Sequence, residues 1–172
     1  QLLPQIRTQE DFVRKYYQAA IREMARIERL ITELINLSRP KPPRLRKQPL
    51  NTIIESVGVL TKPACREKGI ELQTELDASL PHIPLDEDKI RQVLLNLILN
   101  AVEAIEGSGR ITVATRLIVS ENVPLARLTI ADTGKGIRAD QIERIFTPFY
   151  TTKARGTGLG LAVVKKVVDR HG

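Results

Sequence analysis

Residues 86–106 read as a helix that is apolar around most of its circumference yet carries one line of polar side chains. Ile90, Val93, Leu94, Leu97, Ile98 and Ile105 require it to be largely buried. Gln92, Asn96, Asn100 and Glu103 recur at helical spacing and fall on a single stripe. Asparagine is a poor helix-interior residue, and a buried amide must find partners. Two asparagines one turn apart suit a polar ligand on that face. The amide oxygen is a neutral, hard donor of the kind Mg2+ accepts beside waters and phosphates. An Asn pair bonded to neighbouring backbone fits the same spacing equally well.

The rest of the chain is organised about this helix. Upstream, Val13, Tyr17, Ala20, Met24, Ile27, Ile31, Leu34 and Ser38 follow alternating steps of four and three, a heptad seam with charged flanks. Phe12, Tyr16, Ile21, Leu30, Ile35 and Leu37 widen that face, which favours a helical bundle over a lone amphipathic helix docked on its own domain. Residues 1–6 read as the tail of a preceding helix. Residues 1–39 therefore form a partial helical hairpin, mainly its second helix. Pro40, Pro42, Pro43 and Pro49 among basic residues make 40–49 a stiff linker, and 50–172 the second domain. Asn51 is expected to cap a helix that Pro63 kinks or divides and Gly69 stops. A strand over 70–76 and a turn-rich connection over 77–84 follow. Asp86 caps the central helix, and residues 111–119 and 125–131 pair as strands. Asp140 and Glu143 are expected to open a short helix through Phe146, and a last helix covers 161–170.

Composition narrows the class. Apolar residues at 42% support a real core, which aromatics at 3% and no Trp make aliphatic. No apolar run approaches the roughly 18 residues of a membrane span. The single cysteine, Cys65, excludes an internal disulfide and fits a reducing, cytoplasmic setting, with room for a membrane anchor elsewhere in a parent protein. The net charge of +7 gathers in residues 39–47 and 62–68. It comes without interleaved aromatics or zinc-finger spacing, so nucleic acid is not an expected partner.

Two glycine loops carry the remaining chemistry. Asp132-Thr133-Gly134-Lys135-Gly136 leaves a strand end, where glycines permit close approach to a flat ring. A carboxylate there can accept from an exocyclic amine such as that of adenine, though a plain turn explains the residues as well. Residues 134–139 match a degenerate dinucleotide fingerprint, but no βαβ unit surrounds them. Gly156-Thr157-Gly158-Leu159-Gly160 opens a helix whose free N–H groups make a phosphate seat. The P-loop signature is missing from the sequence. Residues 149–155 lie between, as a short lid from which Lys153 and Arg155 reach phosphate oxygens, or as a solvated loop.

Taken together, Asn96-Leu-Ile-Leu-Asn100-Ala resembles the N box of sensor histidine kinases, and Asp132-Thr-Gly-Lys-Gly136 their G1 box. Phe146-Thr-Pro-Phe149 resembles the F box and Gly156-Thr-Gly-Leu-Gly160-Leu the G2 box, all in the family's order. The resemblance implies an α+β fold, with a helical-hairpin dimerisation segment followed by an α/β sandwich of the histidine kinase, Hsp90 and gyrase type. It implies a homodimer, a response-regulator partner, and ATP and Mg2+ as cofactors. It places Asn100 on the metal, Asn96 and Asn100 in catalysis, and Asp132 on adenine. Gly134, Gly136, Ile137, Phe149, Lys153, Gly156, Thr157, Gly158, Leu159 and Gly160 would surround the nucleotide. The short lid is similar to the nitrogen-regulation and sporulation subgroup. Two departures accompany it: neither His82 nor His171 stands where the family's acceptor histidine does, and the family's strands beyond the last helix lie outside residues 1–172.

Overall fold

The computed structural model describes residues 12–21, 23, 24, 27, 31, 42–120, 123–153 and 156–171. The chain divides into two units, Gln1–Lys41 and Pro42–Gly172. In the first, every described residue from Phe12 to Ile31 is helical. The seam residues Val13, Tyr17, Met24, Ile27 and Ile31 are all at least half exposed. Ala20 of the seam is also exposed, while Leu34 and Ser38 lie outside the described residues, as do residues 1–11.

The second unit runs β1 (Arg46–Gln48), α1 (Leu50–Glu67), β2 (Ile70–Glu75), β3 (Ile83–Leu85), α2 (Glu87–Ala104), β4 (Gly109–Ser120), β5 (Val123–Asp132), a 3-10 turn (Ala139–Gln141) and α3 (Gly160–Asp169). β2, β4 and β5 form one mixed sheet in that order, with β2 parallel and β5 antiparallel to β4. Ile111, Val113 and Thr115 of β4 alternate onto the inner face and are fully buried there. Ile53, Ile54, Val57 and Cys65 of α1 meet Leu94, Ile98, Ala101 and Val102 of α2 in the same core. Helices on one face of a mixed sheet make this an α+β sandwich, and its core is aliphatic as the composition requires. Burial pushes the Cys65 thiol above its ordinary pKa.

Several local expectations change. Arg46–Gln48, in the stretch read as linker, is a strand paired antiparallel with Ile83–Leu85. Pro49, not Asn51, holds the N-cap position of α1. The Asn51 amide is used between elements instead. Its Nδ2 donates to the Asp77 carbonyl at 2.9 Å, and its Oδ1 accepts from the Thr115 hydroxyl at 2.9 Å. The same Thr115 oxygen accepts the Asp77 N–H at 3.0 Å, so a fully buried hydroxyl is satisfied on both sides. Pro63 does not divide α1, which is continuous from Leu50 to Glu67. The carbonyl that loses its partner belongs to Val59, on a turn that faces water and can be solvated there. Asp140 caps no helix: Arg138 precedes a single 3-10 turn and pairs with the Asp140 carboxylate at 3.0 Å.

The N-terminus of α2 forms as its sequence requires. Asp86 Oδ1 accepts the Lys89 N–H at 3.2 Å, while Oδ2 accepts the Arg44 N–H at 2.8 Å. The Asp86 N–H donates to His171 Nε2 at 3.0 Å. Nε2 therefore carries no proton, and Nδ1–H donates to the Val167 carbonyl at 2.7 Å. One imidazole thus ties the end of α3 to the start of α2.

Candidate nucleotide site

One face of α2 collects the three loops. At its middle, Asn96 Nδ2 donates to the Gly160 carbonyl at 3.3 Å, where the glycine loop turns into α3. A Cβ on Gly160 would stand 3.8 Å from the Asn96 amide, so the two are in contact. One turn on, Asn100 Oδ1 accepts from the Lys153 ammonium at 2.7 Å, and Glu103 Oε2 pairs with the same ammonium at 2.5 Å. At the helix end, the Ala104 carbonyl accepts the Lys135 N–H at 3.2 Å. Asn96, Asn100 and Ala104 are spaced at one helical turn each, so these contacts span about 12 Å along one strip. The glycine loop, the lid and the Asp132 loop are laid along it in that order.

Each loop has a physical reason to sit where it does. Gly134 lies against the end of α2, where a Cβ would come within 2.7 Å of the Ala104 carbonyl oxygen. Its N–H donates to Asp132 Oδ1 at 2.8 Å, which fixes the carboxylate at the end of β5. Asp132 is exposed, and Oδ2 holds no hydrogen bond among the described residues. Gly158 has φ +68, and a Cβ there would lie 2.4 Å from the Phe149 carbonyl carbon. Phe149 N–H donates to the Gly158 carbonyl at 2.9 Å, closing the base of the lid. Phe149 itself has φ 67, a conformation bulky residues rarely adopt. Thr157 Oγ1 accepts the Leu159 N–H at 3.2 Å, and Leu159 is buried under the loop. The first turn of α3 then presents backbone N–H groups with no helical acceptor.

The residues expected at the site meet in pairs: Asn96 with Gly160, Asn100 with Lys153, Asp132 with Gly134, Phe149 with Gly158. Gly156 N–H bonds the Lys153 carbonyl at 3.1 Å and completes the lid turn. Gly136 and Ile137 are exposed beyond the Asp132 loop. Arg155 lies outside the described residues. Sequence reasoning passed over Glu103 as a lid partner, although it stands on the same polar stripe as the asparagines. The Ala104 carbonyl, which seats the Asp132 loop, is a backbone group that no residue pattern marks.

The histidine kinase-, DNA gyrase B- and HSP90-like ATPase family model matches residues 85–172, so the chain belongs to that family of nucleotide-binding domains. Within it, the chain is a histidine-kinase catalytic core. It is 45% identical over 157 residues to the sensor histidine kinase ZraS of Escherichia coli O157:H7, covering 90% of this chain and 33% of that protein. The chain therefore spans about a third of the length of the curated relatives it matches. Full-length ShkA in complex with AMPPNP superposes with a TM-score of 0.77 at 30% identity, over 91% of this chain and 34% of that one. The catalytic domain of the histidine kinase ThkA gives 0.65 at 32%, over 74% and 82%. ThkA in complex with the response regulator TrrA gives 0.73 at 30%, over 92% and 45%.

Among the described residues no helix is long and apolar enough to cross a membrane. No group of three or more His, Cys, Asp or Glu among them is arranged to hold a metal ion.

Proposed function

We propose that this chain binds Mg2+–ATP on the open face of α2 and passes the γ-phosphoryl group to a histidine on a dimeric helical bundle, from which it moves to a response-regulator aspartate. The observation that carries the reading is the order of loops along α2. Asp132 stands at one end to accept from the adenine amine. The N-terminus of α3 and Gly158–Gly160 stand at the other, where phosphate oxygens meet free N–H groups. Asn100 lies between. Gly134 and Gly136 admit the ring, while Ile137 and Phe149 offer apolar surface beside it. Lys153 lies in the lid over the phosphates, and Thr157 in the glycine loop that follows it.

The residues present fit the metal. Asn100 Oδ1 already faces a cation, the Lys153 ammonium, and a single neutral amide leaves the remaining positions to phosphates and water. Bound Mg2+ neutralises charge on the phosphate oxygens. Asn96 holds Gly160, and thus the phosphate seat, against α2. Catalysis on this reading is positioning and charge compensation rather than covalent chemistry by the protein. The named relatives are sensor kinases, ShkA binds AMPPNP and ThkA binds a response regulator, all of which support it. The exposed apolar seam from Val13 to Ile31 supports a bundle built with a second copy.

Hydrolysis by water is the second reading, as in the chaperone and gyrase branches, which use a carboxylate one turn before the metal asparagine. Here that position is Asn96, an amide whose nitrogen is committed to the Gly160 carbonyl and which cannot act as a base. Asn100→Ala tests the main reading. It should weaken Mg2+-dependent ATP binding by roughly ten-fold in calorimetric titration. Equal Mg2+ dependence in mutant and wild type would remove Asn100 from the metal.

A further inference from the structure

The amide oxygen assigned to the metal is already engaged by a cation of the chain itself. The Lys153 ammonium bridges Asn100 Oδ1 and Glu103 Oε2, at 2.7 and 2.5 Å. An ammonium at that distance and a divalent ion on the same oxygen repel strongly, so the two are alternatives. The lid is built to deliver the ammonium there. Lys153 N–H bonds Thr151 Oγ1 at 3.1 Å and the Lys153 carbonyl accepts the Gly156 N–H at 3.1 Å, while Phe149 and Gly158 clamp the base.

The geometry points to a strap: Lys153 is an internal stand-in for the metal, pinning the lid across α2 until Mg2+–nucleotide displaces it. Glu103 is the positioning residue that sets how readily it leaves. This rests on the reading of Asn100 as the metal ligand. Glu103 and Lys153 side chains are 58% and 38% exposed, so the strap is weak and releases easily. On release the ammonium is free to meet phosphate oxygens. Glu103 would touch neither nucleotide nor metal.

A double-mutant cycle of Glu103→Ala and Lys153→Met tests it, with two readouts. The first is hydrogen exchange of the lid amides, Tyr150 to Gly158, in nucleotide-free protein. Lys153→Met should speed exchange as much as the double does, and Glu103→Ala should speed it less, because Asn100 still holds the ammonium. The second is calorimetric titration with Mg2+–AMPPNP. Glu103→Ala should tighten binding about two- to five-fold in the wild-type background. It should do nothing in the Lys153→Met background. Equal tightening in both backgrounds would show that Glu103 acts only by its charge near the phosphates, and would overturn the strap. Weaker binding by Glu103→Ala, or unchanged lid exchange in the single variants, would overturn it too. If wild-type protein fails to bind Mg2+–AMPPNP at all, the nucleotide reading falls, and the exchange cycle still decides whether Lys153 pins the lid.

Discussion

Asp132 has one carboxylate oxygen without a hydrogen bond among the described residues, because only the other is taken by the Gly134 N–H. A carboxylate only accepts, which suits an exocyclic amine and disfavours a ring carbonyl at the same spot. Asp132→Asn replaces the pure acceptor with a group that also donates. Preference for adenine over guanine nucleotides should fall by roughly ten-fold, about the value of one charge-assisted hydrogen bond. Competition binding with ADP and GDP measures it, and an unchanged ratio would leave Asp132 as a turn residue. The loops and the polar stripe that meet along α2 were legible at this scale from their glycines and their helical spacing, although a plain turn accounts for the Asp132 loop as well. The Lys153–Glu103 pair was not: Glu103 and Lys153 lie fifty positions apart, and long-range ion pairs leave no spacing to read.

At the scale of elements, α2 is held at both ends by groups from elsewhere. Lys68 Nζ donates to the Val102 carbonyl at 2.8 Å, near the helix C-terminus where positive charge is favourable. At the N-terminus, burial works against ionisation of Asp86, but the N–H groups of Arg44 and Lys89 and the charge of Lys89 outweigh it. Its carboxyl titrates below the ordinary aspartate value of 3.8. A carboxylate depressed on folding adds stability above that value and loses it as pH falls through the folded pKa. Asp86→Ala should therefore destabilise by about 0.5–2 kcal/mol at neutral pH and flatten the acid limb of the stability curve below about pH 4. Urea melts at pH 7 and pH 3 check both, and equal differences at the two pH values would mean that the carboxylate does not hold the helix. The sequence marked Asp86 as a cap, and the N–H that its carboxylate accepts lies three residues on, at Lys89. Asn51 had the same local signature, yet its amide bonds Asp77 and Thr115, groups 26 and 64 residues distant. Local patterns fail where a tertiary partner competes for the side chain.

For the whole molecule, the exposed apolar residues of the first unit bear on the proposed dimer. Ile27 is 50% exposed and stands on the heptad seam. Ile27→Asp would set a charge among apolar side chains, at a cost of several kcal/mol where it stays unpaired (roughly 2–7 for a polar group without a partner). Light scattering should show the wild type as a dimer and the variant shifted to monomer at the same concentration. Identical masses would exclude the seam as the interface. The helices and strands of the sandwich were legible from periodicity, whereas their layering followed from the family resemblance. β1 was not, because a three-residue strand among prolines carries no alternation to read.

The proposed phosphoryl transfer also belongs to the scale of the whole molecule, and here the placement of the two histidines decides. An acceptor nitrogen must come within about 3–3.5 Å of the γ-phosphorus and in line with it. His171 has neither ring nitrogen free: Nε2 accepts from Asp86 and Nδ1 donates to Val167. Its anchor, Asp86, caps the start of α2, and fourteen residues at 1.5 Å each put Asn100 about 21 Å further along the axis. His82 is exposed just ahead of β3, the strand that leads into that same end of α2. Both histidines thus belong to the end of the helix remote from Asn100, while the glycine loop and Lys153 gather toward the other. The chain of residues 1–172 should therefore bind Mg2+–ATP yet take up no phosphoryl group itself, and should transfer it only to a histidine supplied on a helical bundle. Incubation with γ-labelled ATP and Mg2+, followed by acid treatment, distinguishes the outcomes. Protein-bound label at stoichiometric level that is lost in acid would make His82 or His171 an acceptor, and the neutral, doubly bonded His171 would have to be abandoned first if His82→Ala kept the label.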